Sequence, residues 1–279
     1  MKKILFPIAA ALIVACSSDT EEPVMNQEPT EVVLTFSPYE MDAMTRTATS
    51  ISNYCTHLDV WVTEGDNTVS AHQTSTEAGF GTVSLSLNRT KTYTLIAVAH
   101  KCAGNATLTD GIIAFPDEKV THSLVYKTTF SPATTTSLSC EMTRVVGWFR
   151  IEGTDQVPAD AHTIQIAMGD TFTRWNTATS AGANTISRTA TFANFNRNQD
   201  GTMTFNLYII PTNLTDTDHM DITVTALKEN GDELEQKVFA DVPVKAGYKT
   251  TYRGQFYTTE GMSMSFTADE WSEFDVVEY

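Results

Sequence analysis

Short runs in which apolar and polar residues alternate, each closed by a turn-forming cluster, recur along this chain, and a side-chain period of two is that of a β-strand. Val32-Val33-Leu34-Thr35-Phe36, Leu58 to Thr63, Thr82 to Leu87 and Tyr93 to Ala99 are such runs, rich in Thr, Val, Ile, Tyr and Phe. In the second of them Leu58, Val60 and Val62 share one face. Between the runs sit Glu64-Gly65-Asp66-Asn67, Ala78-Gly79-Phe80-Gly81 and Ala103-Gly104-Asn105, all turn compositions. A second series follows from Cys140 onward: Val145 to Ile151, Ile164 to Met168, Ile186 to Phe192, Met203 to Ile210, Lys249 to Thr258 and Met262 to Phe266. Ile222 to Phe239 reads as a hairpin, with Asn230-Gly231 in a tight primed turn where both central residues take positive φ. No stretch of useful length has helical periodicity. The expectation is an all-β chain of two tandem β-sandwiches, over 31–139 and 140–279.

The first residues obey a different rule. Lys2 and Lys3 precede an apolar stretch, Ile4 to Val14, that is shorter than the roughly 20 residues of a bilayer-spanning helix. Ile13-Val14-Ala15-Cys16 resembles the lipobox of bacterial lipoproteins. That resemblance implies a signal peptide over 1–15, cleavage before Cys16, a diacylglycerol on its sulfur and an acyl group on its new amine. Several buried acyl chains, at about 0.8 kcal/mol per CH₂, hold a protein to a membrane with no spanning helix. Residues 16–30 then form a polar tether. Its Ser17-Ser18-Asp19-Thr20-Glu21-Glu22-Pro23 is similar to the surface-export signal of Bacteroidetes lipoproteins, which implies a place on the outer leaflet of the outer membrane.

Charge and missing motifs exclude several function classes. Losing Lys2 and Lys3 with the leader takes the formal net charge from −16 to about −18, the wrong sign for nucleic acid or an anionic lipid surface as partner. No Gly-x-Ser-x-Gly elbow, His-Glu-x-x-His, phosphate-binding Gly-rich loop or Cys-x-x-Cys pair is present, so the reading is not an enzyme and names no cofactor. Asp216, Asp218 and Asp221 alternate as Ca²⁺ ligands can, but the Gly and distal Glu of an EF-hand loop are missing, and the reading is a solvated loop with no metal. With Cys16 acylated, Cys55, Cys102 and Cys140 are left, an odd number that allows at most one disulfide. Among the tryptophans, Trp61 and Trp148 sit in strand-like runs and read as core. Trp175, in Asp170-Thr-Phe-Thr-Arg174-Trp175-Asn176, is the candidate for an exposed ligand platform.

Several segments, in order, resemble the fimbrillin superfamily of Bacteroidales pili. They are the lipobox leader and first strand, then Met44-Thr45-Arg46-Thr47-Ala48, then Ile51 to Val62. Leu138 to Ile151, Tyr208-Ile-Ile-Pro-Thr212 and Val242 to Phe256 follow. The resemblance implies two transthyretin-like sandwiches and a structural role in a surface pilus, with other pilus subunits as partners by donor-strand exchange. It also implies a protease cut after Arg46 that releases the lipid and the strand holding Val32 to Phe36. A donor segment would lie in Ser263 to Tyr279, where Val276-Val277 is apolar. The FimB-like anchor subunits of the superfamily keep lipid and strand, and a short chain without a long C-terminal extension fits that group. The competing reading is a monomeric surface lipoprotein that binds a glycan or host ligand through Trp175.

Overall fold

The structure, a computed structural model, describes residues 29–39 and 50–258 together with the backbone of 265–270. Cys16, residues 17–28 of the tether, Arg46 and Trp271 lie outside the described residues, while Pro29 and Thr30 of the expected tether already belong to the first strand. The alternating runs pair as strands throughout, and the only helical turns among the described residues are two three-residue 3-10 segments. The chain is all-β.

Nine strands come from the first half: β1 (Pro29–Pro38), β2 (His57–Glu64), β3 (Asn67–Thr74), β4 (Thr82–Asn88), β5 (Tyr93–His100), β6 (Thr107–Thr109), β7 (Ile112–Ala114), β8 (Ser123–Phe130) and β9 (Ser137–Arg144). Seven of them follow the order β3-β2-β5-β8-β9-β1-β4. The β8–β9 contact is a corner, joined only through Leu124↔Arg144 and Val125↔Thr143. There the sheet folds over, so that β3-β2-β5-β8 faces β9-β1-β4. Val32, Leu34 and Phe36 of β1, Leu58, Val60 and Val62 of β2, and Val83, Leu85 and Leu87 of β4 meet in one buried core.

The second half supplies β10 (Gly147–Gly153), β11 (Thr163–Asn176), β12 (Ala181–Ala193), β13 (Met203–Ile209), β14 (Asp218–Leu227), β15 (Glu233–Val244), β16 (Tyr248–Gly254) and β17 (Ser265–Glu270). One layer is β13-β10-β16-β17; the other runs β15-β14-β11 with β12 on the far side of β11. The connectivity repeats that of the first half. β1 lies between antiparallel β4 and parallel β9, and β10 lies between antiparallel β13 and parallel β16. β2 is flanked by β3 and β5, as β11 is by β12 and β14. The expected division at 139/140 falls inside β9, which pairs wholly with first-half strands; the sheets change over at Val145 and Val146.

The two halves are not beads on a string. Between β5 and β8 the chain leaves the first sandwich, and β7 pairs with β11 of the second through Ile113↔Trp175 and its neighbours. A third buried cluster forms there, in which Ile96, Val98 and Ile113 meet Val146, Trp148, Trp175 and Tyr208.

The hairpin over Ile222 to Phe239 forms, with a different turn from the one expected. Gly231 N–H donates to Lys228 O, and Lys228 N–H to Asp232 O. Gly231 takes φ +90°, while Asn230 is not among the positive-φ residues. This is a type I turn closed by a left-handed glycine, a three-residue loop, and the register shifts between Ala226 and Leu227 to admit it. Asn88-Arg89-Thr90 and Asn213-Leu214-Thr215 are both Asx turns, in which the Asn Oδ1 accepts the N–H and the hydroxyl of the Thr.

After β16 the chain is pinned by one carboxylate: Asp155 accepts the N–H groups of Phe256, Tyr257 and Thr258, and Phe256 is fully buried. Asp155→Ala leaves those donors without their acceptor. The variant is expected to lose about 1–3 kcal/mol in urea unfolding; an unchanged midpoint would show that water replaces the carboxylate.

Candidate functional site

β1 occupies the centre of a three-stranded layer, bonded on both edges. It runs antiparallel to β4 from Pro29↔Asn88 to Thr35↔Thr82 and parallel to β9 from Val33↔Ser137 to Pro38↔Met142. The sequence accounts for its direction of facing: Val32, Leu34 and Phe36 alternate with Glu31, Val33 and Thr35, and only the first set is buried. Their exposures are 0, 0 and 4 %. The groove between β4 and β9 is therefore a slot with two backbone edges and a floor that takes three apolar side chains at alternate positions. That is the chemistry of strand addition: the ladders bind any extended segment, and the floor selects one with the right alternation.

Burying each of these side chains is worth about 1.5–3 kcal/mol, while a whole domain retains only about 5–15 kcal/mol. An empty groove would thus cost the first sandwich most of its margin. Leu34→Ala is expected to destabilise the protein by about 2–5 kcal/mol, read as a drop in urea midpoint. A loss below about 1 kcal/mol would mean that β1 is not integral to the core.

A polar knot lies at the edge of the first sandwich. Asp59, 3 % exposed, faces His72 Nδ1 at 2.8 Å and His100 Nε2 at 2.9 Å, and its Oδ2 accepts Ala106 N–H at 3.0 Å. One carboxylate thereby ties β3 and β5 to the segment leading into β6. Burial pulls the His100 pKa down, while the Asp59 hydrogen bond pushes it up. The Cys102 N–H aimed at Nδ1 opposes that rise, because an imidazolium would meet it with a second N–H. The fold sets that backbone bond, so the ring is held neutral with its proton on Nε2.

His122 is a second buried histidine at the junction. Its Nδ1 lies 3.2 Å from Tyr54 O, its Nε2 accepts from Arg144 Nε, and its ring stacks on Tyr208 of β13. Burial, aided by the Arg144 charge, takes its pKa down to about 3. The unfolded chain takes up this proton near pH 6.5 and the folded chain does not. Stability therefore falls as pH drops from about 6.5 toward 3, by up to about 1.4 kcal/mol per pH unit from this group. Urea midpoints measured between pH 7.5 and 5 should fall in the wild type and fall less steeply in His122→Gln; equal slopes would remove His122 as the cause.

Trp175 is not a surface platform. It is 1 % exposed and packs in the cluster between the halves. A bulge between Met168 and Asp170 shifts the alternation of β11 by one residue. Ile164, Ile166 and Met168 face inward before it, and Thr171, Thr173 and Trp175 after it. Cys55, Cys102 and Cys140 are free, buried thiols, and burial pushes Cys55 and Cys140 up to about 12, far from the reactive thiolate. The carboxylates of Asp216, Asp218 and Asp221 turn to different partners, Asn213, Thr212 and the Asp241 N–H. Among the described residues no group of three or more His, Cys, Asp or Glu is placed to hold a metal. Of the expected donor segment, 265–270 is β17, paired with β16 of its own chain; Val276-Val277 lies outside the described residues, as do Cys16 and Arg46.

No family model matches the chain, and no curated protein matches it. Solved structures do. A candidate cell adhesion protein from Bacteroides ovatus is 12 % identical over 90 % of this chain and 100 % of its own, with a TM-score of 0.53. A candidate adhesin from Bacteroides thetaiotaomicron is 12 % identical over 88 % of this chain and 98 % of its own, with a TM-score of 0.52. The fimbrial anchor protein Mfa2 from Porphyromonas gingivalis, 10 % identical over 87 % and 98 %, is more distant at a TM-score of 0.46. At these identities the first two show a shared fold.

Proposed function

We propose that this chain is a structural subunit of a bacterial cell-surface adhesive fibre, of the fimbrillin type, anchored in the outer membrane through acylated Cys16. The observation that carries the reading is β1. It is the chain's first described strand, it fills the centre of a layer, and it lies between the lipidation motif and Arg46. A cut after Arg46 would detach lipid and strand together and leave the β4–β9 groove for a strand of the next subunit. The size of the buried apolar contribution argues that release and refilling are coupled, since the empty groove is too costly to persist. The two repeated strand orders support a division into two sandwich domains, and the shared fold with candidate adhesion proteins fits a surface role.

Within that class the anchor or accessory role is the better supported. β17 is engaged on β16 of its own chain, which leaves less of the C-terminus to donate.

The test is intact mass and N-terminal sequencing of the protein taken from surface fractions of its native cell. The expected outcome for an anchor is acylated Cys16 as the N-terminus, with Val32 to Phe36 retained. A new N-terminus at Thr47, with heat-labile high-molecular-weight ladders, would move the chain to the stalk or tip. A cytoplasmic protein still beginning at Met1 would sink the whole reading.

A further inference from the structure

The β11–β14 ladder stops at Met168↔Ile222. Just beyond, β11 carries its bulge at Met168/Asp170 and β14 one at Met220/Ile222, and the two strands part. β7 takes up the open side of β11 only from Arg174 onward. In between, a single isolated bridge, Phe172↔Ile210, spans the gap, made by the chain leaving β13. The split leaves a cleft of about 300 Å³, at the small end of the size range of small-molecule sites. Paired bulges of this kind re-aim side chains beside binding sites.

The lining is of two kinds. Phe172, Ile210 and Met220 supply an apolar wall, and Asp170, Asp218 and Thr185 are among the polar groups. The Phe172 ring is seated against Gly182, where an added Cβ would come within 2.4 Å of it, so the ring's position is set by the backbone of β12. Asp170 Oδ1 accepts from Ser187 Oγ, and Asp218 Oδ2 accepts from Thr212 N–H. Among the described residues nothing donates to the second oxygen of either carboxylate. No Lys or Arg lines the cleft, which turns away anions.

An aromatic face beside unengaged acceptors matches a ring that is apolar on one side and hydroxylated at its rim. We propose that this cleft binds a single neutral sugar ring, the terminal residue of a glycan. Its C–H face lies on Phe172, and its hydroxyls donate to Asp170 and Asp218. The site lies on the second sandwich, away from the β1 groove, so its occupancy and subunit assembly are separable.

The test is saturation-transfer NMR on the full mature chain with the methyl glycosides of glucose, galactose and mannose and with N-acetylglucosamine. The expected result is transfer to ring C–H protons of at least one sugar, with millimolar affinity. Binding should be at least about 10-fold weaker in the double variant Asp170→Asn/Asp218→Asn, whose thermal melt stays that of the wild type. Phe172→Leu, which keeps an apolar filling over Gly182, should weaken it as well. Absence of transfer from every sugar overturns the proposal, as does equal binding by the double variant. Displacement of the sugar by millimolar methylamine would overturn the sugar class in favour of a cationic ligand.

Discussion

In each half the first strand pairs in parallel with a strand from the far end of that half: β1 with β9, and β10 with β16, the last but one. A parallel pair cannot be made by a hairpin and needs a long crossover. The crossover here is the rest of the sandwich, and Phe36 meets Cys140 only after about a hundred residues have been laid down between them. The remaining strands are joined largely through local antiparallel contacts and could form early. The layer that faces them exists only once the first strand has been set between β4 and β9. The same geometry makes β1 essential to the first core, and the cut after Arg46 proposed above would leave it held there by backbone ladders and side-chain packing alone.

β10 holds the equivalent place in the second half, but the chain continues from both of its ends into ordered strands. It cannot leave without unfolding its sandwich. The strand exchange proposed above is therefore one for the first half alone. The asymmetry arises from position in the chain, since the two strand orders are alike.

The junction ties the two halves together. The excursion between β5 and β8 carries β7 onto β11, buries Ile113 against Trp175 and is tied back by Asp59 through the Ala106 N–H. Buried polar groups at such a place specify one arrangement when all their partners are present, and they are costly when any is missing.

Local chemistry was legible in the residues. Alternation placed Val32, Leu34 and Phe36 on one face, Gly and Asn clusters marked the loops, and the hairpin over Ile222 to Phe239 was recognisable from its turn. All of these depend on neighbours in sequence. What the sequence alone could not carry was anything set by a bulge or by a distant partner. One inserted residue at Gly169 reverses the facing of all that follows in β11 and turns Trp175 inward. The division near residue 140 fell inside a strand because β9 is claimed by β1, a partner far upstream. Strand identity is thus a property of the local pattern, while facing, pairing and the cleft between β11 and β14 were decided only by tertiary structure, where register is chosen by contacts across the sheet.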